Sequence, residues 1–116
     1  MEIIIESPHF TVNELLNEYT IKKVGKLAHF NERIIKSDVF LKLDRSATDD
    51  NKICEIKVSA PQKSLFASAR ALTFEDAITV AVHALEKQLK KQKTQARRDG
   101  KKLEIGSDLE ETNEII

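Results

Sequence analysis

The spacing of apolar residues changes along this chain in a way that separates strands from helices. "EIIIES" (Glu2 to Ser7) is a short β-branched run stopped by Pro8, which reads as a strand. Thr11 with Glu14 three residues later has the spacing of a capping box. Val12, Leu15, Leu16, Tyr19, Val24 and Leu27 then recur at helical intervals. They predict a helix that passes through Gly25 and ends near His29 or Phe30. From Ile34 to Asp44 the period drops to two. Val39, Leu41 and Leu43 share one face, and Phe40 and Lys42 share the other. "SATDDN" (Ser46 to Asn51) supplies turn residues. Lys52 to Ala60 alternates again, with Cys54, Ile56 and Val58 opposite Glu55 and Lys57.

After the turn at Pro61, Ser64 to Ala71 sets Leu65, Ala67 and Ala69 against Phe66, Ser68 and Arg70. The two alanines leave room for a helix close above their face. Thr73 is the next cap, with Asp76 three residues on, and a long helix opens at Phe74. Its stripe is Phe74, Ala77, Ile78, Ala81, Val82, Leu85 and Leu89. Helix formers continue to Arg98, so the last turns are expected to project past the core before Gly100. The order is β-α-β-β-β-α. It predicts an α+β fold: a four-stranded sheet with two helices packed on one face.

Charge refines this picture. The chain has 19 Lys+Arg and 19 Asp+Glu, a formal net charge of zero. The balance conceals a strong segregation. Residues 86–102 hold eight bases against Glu86 and Asp99 alone. Residues 104–116 hold Glu104, Asp108, Glu110, Glu111 and Glu114 and no base. The expected organisation is a single domain over 1–103 and an acidic, flexible tail over 104–116. On the second helix the bases stand opposite the Leu85/Leu89 stripe; on the first, Lys22, Lys26 and His29 form a row flanked by Lys23, with Arg33 one step on. Two adjacent basic ridges suit a phosphate backbone, whose neutralisation releases counterions and makes binding fall steeply with salt. Five Phe, one Tyr and no Trp offer few platforms for stacked bases, which favours recognition of shape and backbone.

Other chemistry is thin. Cys54 is the only cysteine, so no internal disulfide forms, and it reads as core filler. His9, His29 and His83 have no metal-ligand spacing, Asp49 and Asp50 are turn residues, and no phosphate loop or nucleophile–base pair is present. We therefore expect no catalysis, no metal and no cofactor. No apolar run approaches the roughly 20 residues of a membrane span, and "MEIIIES" lacks the basic start of a secretory signal, so a cytoplasmic location is expected.

The segment "LFASARALTFEDAITVAVHALEKQLKKQK" (Leu65 to Lys93) resembles the ribosome hibernation promoting factor family. The matching pieces are "ASA" (Ala67 to Ala69), "AI" (Ala77, Ile78) and "L.KQL.K.K" from Leu85 to Lys93. Lys23, Lys26, Leu27, Arg33 and Ile34 match in and after the first helix, and the likeness spans roughly residues 1–98. The departures are Thr73 and Glu75, where the family often has Asp and Tyr, and Ala84, where a base is common. The chain resembles a short form, without the long members' C-terminal dimerisation domain, and its acidic tail resembles that of the ribosome-associated inhibitor A branch. The resemblance implies a fold similar to a double-stranded-RNA-binding domain and a cytoplasmic translation inhibitor acting in stress or stationary phase. Its partner would be the small ribosomal subunit and its rRNA, in the channel of mRNA and the A- and P-site tRNAs. It would compete with both and be a monomer when free. By position, the family's binding surface falls on Lys23, Lys26, Arg33, Lys87, Lys91 and Lys93. Together with the helix rows, the expected rRNA-binding set is Lys22, Lys23, Lys26, Arg33, Lys87, Lys90, Lys91, Lys93, Arg97 and Arg98. A general double-stranded-RNA-binding domain is the alternative. A protein-interaction module would need apolar residues along 90–102, which are almost absent.

Overall fold

A computed structural model describes the backbone of residues 1–100 and the side chains of residues 1–92. The elements are β1 (Glu2–Glu6), α1 (Glu14–Gly25), a 3-10 turn (Lys26–His29), β2 (Lys36–Leu43), β3 (Lys52–Ala60), β4 (Lys63–Ala71) and α2 (Phe74–Gly100). The four strands form one sheet in the order β1-β2-β3-β4. β1 runs parallel to β2, with Ile5 opposite Val39. β2, β3 and β4 form an antiparallel meander, with Leu41 opposite Cys54 and Cys54 opposite Ala69.

The alternation read from the sequence sets the sheet's two faces. Val39, Leu41, Cys54, Ile56, Val58, Leu65, Ala67 and Ala69 are buried beneath the helices. From above, Leu16, Val24 and Leu27 of the first helical segment and Ala77, Ile78, Ala81, Val82, Leu85 and Leu89 of α2 complete the core. Ala67 and Ala69 let α2 sit close on β4, as their small size implied. Cys54 is buried, and loss of solvent followed by the charge of Glu55 pushes its thiol up to about 12. The thiolate that reactive cysteines need is therefore suppressed at neutral pH.

Two features of the first helix differ from the sequence expectation. Its N-cap is Asn13, not Thr11. Asn13 takes extended backbone angles (φ −78°, ψ 169°), and its side chain accepts a hydrogen bond from the Leu16 N–H at 2.8 Å. Thr11 lies two residues too early to reach the orphan N–H groups of that turn. The α-helix also ends at Gly25, and the chain tightens into the 3-10 turn Lys26–His29. Thr73 caps α2 as expected, accepting from the Asp76 N–H at 3.1 Å.

The two helices are parallel to each other. Each follows a strand that runs the same way as β2, and each returns across the sheet in the opposite direction. Two contacts fix their alignment. Tyr19 of α1 meets Thr79 of α2, and further along Phe30 lies beside Lys90. The start is aligned too, where Phe10 stacks on Phe74 with ring centroids 4.8 Å apart.

Replacing Asn13 with Ala should cost about 1 kcal/mol of unfolding free energy, whereas Thr11→Ala should change it by less than about 0.5 kcal/mol. Urea denaturation of the two variants measures this; equal losses would contradict the cap assignment.

Candidate nucleic-acid interface

The parallel helices give their outer surface a polarity. Glu14 and Glu18 belong to the N-terminal half of α1, and Glu75 and Asp76 to the first turn of α2. The bases come later on both helices. Lys22 and Lys23 occupy the last turn of α1, Lys26 opens the 3-10 turn, and Lys87, Lys90 and Lys91 follow the buried Leu85. Glu75 and Asp76 in the first turn of α2, Glu14 in the first turn of α1 and Lys22 and Lys23 in its last turn complement the helix dipoles, which is worth roughly 0.3–1 kcal/mol per charge. Because the helices run together, the two basic segments lie at the same end of the layer. Arg33, exposed in the link from the 3-10 turn to β2, stands at that end as well.

The 3-10 turn sets which bases align. At three residues per turn, positions i and i+3 eclipse. Lys26 and His29 therefore stand in line along the turn. Lys23 is on the flank facing α2, with its ammonium 5.5 Å from the centre of the Tyr19 ring. Lys22 is exposed toward solvent on α1. On α2, Lys90 faces the first helical segment, 5.8 Å from the centre of the Phe30 ring. Lys87 is exposed opposite the core stripe. Lys91 is exposed on the flank nearer β4, one turn beyond Gln88, which donates from its side chain to the Phe66 carbonyl at 3.1 Å.

Lys23 and Lys90 thus lie between the helices, and Lys22, Lys26, Arg33, Lys87 and Lys91 are exposed at the same end of the layer. Lys93, Arg97 and Arg98, also expected in the set, have side chains outside the described residues, as does the tail 104–116.

The sheet's open face handles its charges differently. There Lys42 pairs with Glu55 at 2.9 Å, Lys36 with Asp38 at 3.8 Å, and Arg70 with Asp44. Exposed pairs like these add little to stability, but they neutralise the bases they hold. Among the described residues, none of the helix-face bases Lys22, Lys23, Lys26, Arg33, Lys87, Lys90 and Lys91 forms an ion pair. On the sheet, two pairs join residues from different elements and one lies within β2, while the helix bases stay unpaired among the described residues.

Tyr19, Thr79 and Phe30 are the residues that sequence reasoning missed here. The Thr79 hydroxyl donates to the Glu75 carbonyl at 2.9 Å, so its only proton is used. Its 2.9 Å contact with the Tyr19 hydroxyl therefore has Tyr19 as the donor. That bond ties α1 to α2 at the floor of the groove. The i, i+4 spacing of Tyr19 and Lys23 is visible in the sequence; the meeting of Phe30 with Lys90 is not. Among the described residues no cluster of His, Cys, Asp and Glu could hold a metal ion, and no helix is long and apolar enough to cross a membrane.

A family model described as sigma 54 modulation protein / S30EA ribosomal protein matches residues 3–97. The chain belongs to this family. It is a family of ribosome-associated factors, the hibernation group that the Leu65–Lys93 motifs resemble. Two solved structures share the fold. A ribosomal subunit interface protein from Coxiella burnetii is 22% identical with a TM-score of 0.73, covering 81% of this chain and 99% of that one. The N-terminal domain of Protein Y from Thermus thermophilus is 24% identical with a TM-score of 0.68, covering 78% of this chain and 98% of that one. No curated protein shows a significant sequence match to the chain.

Asp44 gives a pH prediction for the opposite face. Hydrogen bonds from the Ser46 side chain and backbone, then the charge of Arg70, hold its carboxyl below the ordinary 3.8. The ionised form is the one stabilised, so this contribution is complete above the unfolded-state value and is lost as pH falls through the lower folded-state value. A carbon-13 titration of the Asp44 carboxyl should have its midpoint below 3.8, and Arg70→Gln should move that midpoint upward. A midpoint unaffected by the substitution would remove Arg70 as a cause.

Proposed function

We propose that this chain is a translation inhibitor that binds the rRNA of the small ribosomal subunit through the basic end of its helix layer. The observation that carries the reading is the gathering of bases at one end of the helix layer: Lys22, Lys23, Lys26, Arg33, Lys87, Lys90 and Lys91 form no ion pair among the described residues, whereas Lys36, Lys42 and Arg70 on the sheet are paired. Membership of a ribosome-associated family supplies the partner class. The mechanism is steric. A rigid α/β wedge with cations on both sides of a groove occupies the backbone surface that mRNA and the A- and P-site tRNAs need, under stress or in stationary phase. No bond is made or broken.

A phosphate-dominated interface has a measurable signature. With about five phosphates neutralised, log K should fall with log salt at a slope of roughly −3.5 for single-stranded rRNA segments, steepening toward −4.5 if the contacts are to duplex-like backbone. Co-sedimentation with small subunits over a range of salt, with and without tRNA, tests the reading. Binding should weaken with salt and with added tRNA. The double substitution Lys87→Glu and Lys91→Glu should lower affinity at least about tenfold and reduce the slope by about 1.4 if both touch phosphate, with the melting temperature unchanged. Binding indifferent to tRNA would refute occupancy of the channel. Equal affinity for free duplex RNA would favour a general double-stranded-RNA binder.

The tail extends the proposal. Glu104, Asp108, Glu110, Glu111 and Glu114 bring acidic charge that competes with phosphate for the helix bases in the free protein, suppressing adventitious RNA binding. Deleting 104–116 should raise affinity for random-sequence RNA at low salt and leave it little changed at high salt. Identical affinity at low salt would remove this role.

A further inference from the structure

We propose that Phe30 and Tyr19 are positioning residues for rRNA binding, holding Lys90 and Lys23 over their rings so that both ammonium groups are set before the phosphates arrive. The proposal rests on the rRNA reading above and adds which residues organise the charge.

The geometry is specific to these two lysines on the helix layer. Lys23 lies 5.5 Å from the Tyr19 ring centre and Lys90 5.8 Å from the Phe30 ring centre, both within the range of cation–π attraction. The rings are themselves held. Tyr19 and Phe30 are half-buried and pack against the core, and the Tyr19 hydroxyl is bonded across the helices to Thr79 at 2.9 Å. Each ring is thus a fixed platform on the groove's inner side. A lysine stem is otherwise free to rotate, and ordering it on binding costs affinity. An ammonium resting on a held ring has already lost part of that freedom. The ring occupies one side of the group, and N–H donors remain directed outward for a phosphate oxygen. Lys87 and Lys91 have no such platform among the described residues.

A double-substitution cycle reads this directly. Binding of the full chain to purified small subunits is titrated for Phe30→Leu, Lys90→Gln and the pair combined, with circular-dichroism melts as a check on folding. Phe30→Leu should weaken binding about two- to fivefold, the scale of an exposed cation–π contact. The combined variant should bind no more weakly than Lys90→Gln alone, because Phe30 acts through that ammonium. Phe30→Tyr should restore the native affinity. The Tyr19→Leu and Lys23→Gln cycle is read in the same way. In the free protein, the Lys90 Cε protons should resonate upfield through the ring current and return toward the ordinary lysine position in Phe30→Leu.

Losses that simply multiply in a protein that still binds, or Lys90 protons at the ordinary position in the unsubstituted chain, would overturn this proposal and leave the rRNA reading standing. Failure of the unsubstituted chain to bind small subunits at all would overturn both.

Discussion

The parallel pairing of β1 with β2 decides the direction of everything on the helix side. A parallel pair needs a crossover, and α1 with its 3-10 extension supplies it. The meander then brings β4 back in the same sense as β2, so α2 must return beside α1 with the same polarity. Two helices that could have run head to tail instead run side by side. The C-terminal end of the first segment lies beside the stretch of α2 around Lys90, so the lysines of the two segments meet. Opposed helices would have set each basic segment beside the other's acidic first turn, and the charges would have cancelled locally.

Most of this fold is legible in the sequence because its elements have different periods. Strict alternation in β2, β3 and β4 marks one buried face, and the alanines at 67 and 69 show where a helix approaches closely. The stripe from Phe74 to Leu89 marks α2 without ambiguity. The first helix was harder. Thr11 and Asn13 are both good caps, and the choice lies in the extended backbone at Asn13, which no spacing rule encodes. The tightening after Gly25 was also hidden. That change of pitch brings Lys26 and His29 into line at the end of the first segment.

The site itself divides along the same line. Which residues carry charge, and roughly on which helix face, follows from the sequence. Which charges are neutralised does not, because it depends on register across strands. The Lys42–Glu55 and Arg70–Asp44 pairs join residues from different strands or turns and appear only once the meander is formed. The contact of Phe30 with Lys90 is of the same kind, since it joins the end of one helical segment to a turn far along the other. Aromatic residues that look like ordinary core in the sequence thereby acquire a second task at the edge of a charged groove.

The most direct test of the account is lysine reactivity toward an acylating reagent, read residue by residue with mass spectrometry, for the free chain and for the chain bound to small ribosomal subunits. Lys22, Lys23, Lys26, Lys87, Lys90 and Lys91 should become protected in the complex, while Lys57 and Lys63, exposed on the sheet and its edge, should stay as reactive as before. Protection of Lys57 and Lys63 with the helix lysines left open would mean that the sheet face meets the ribosome, and the account would be contradicted.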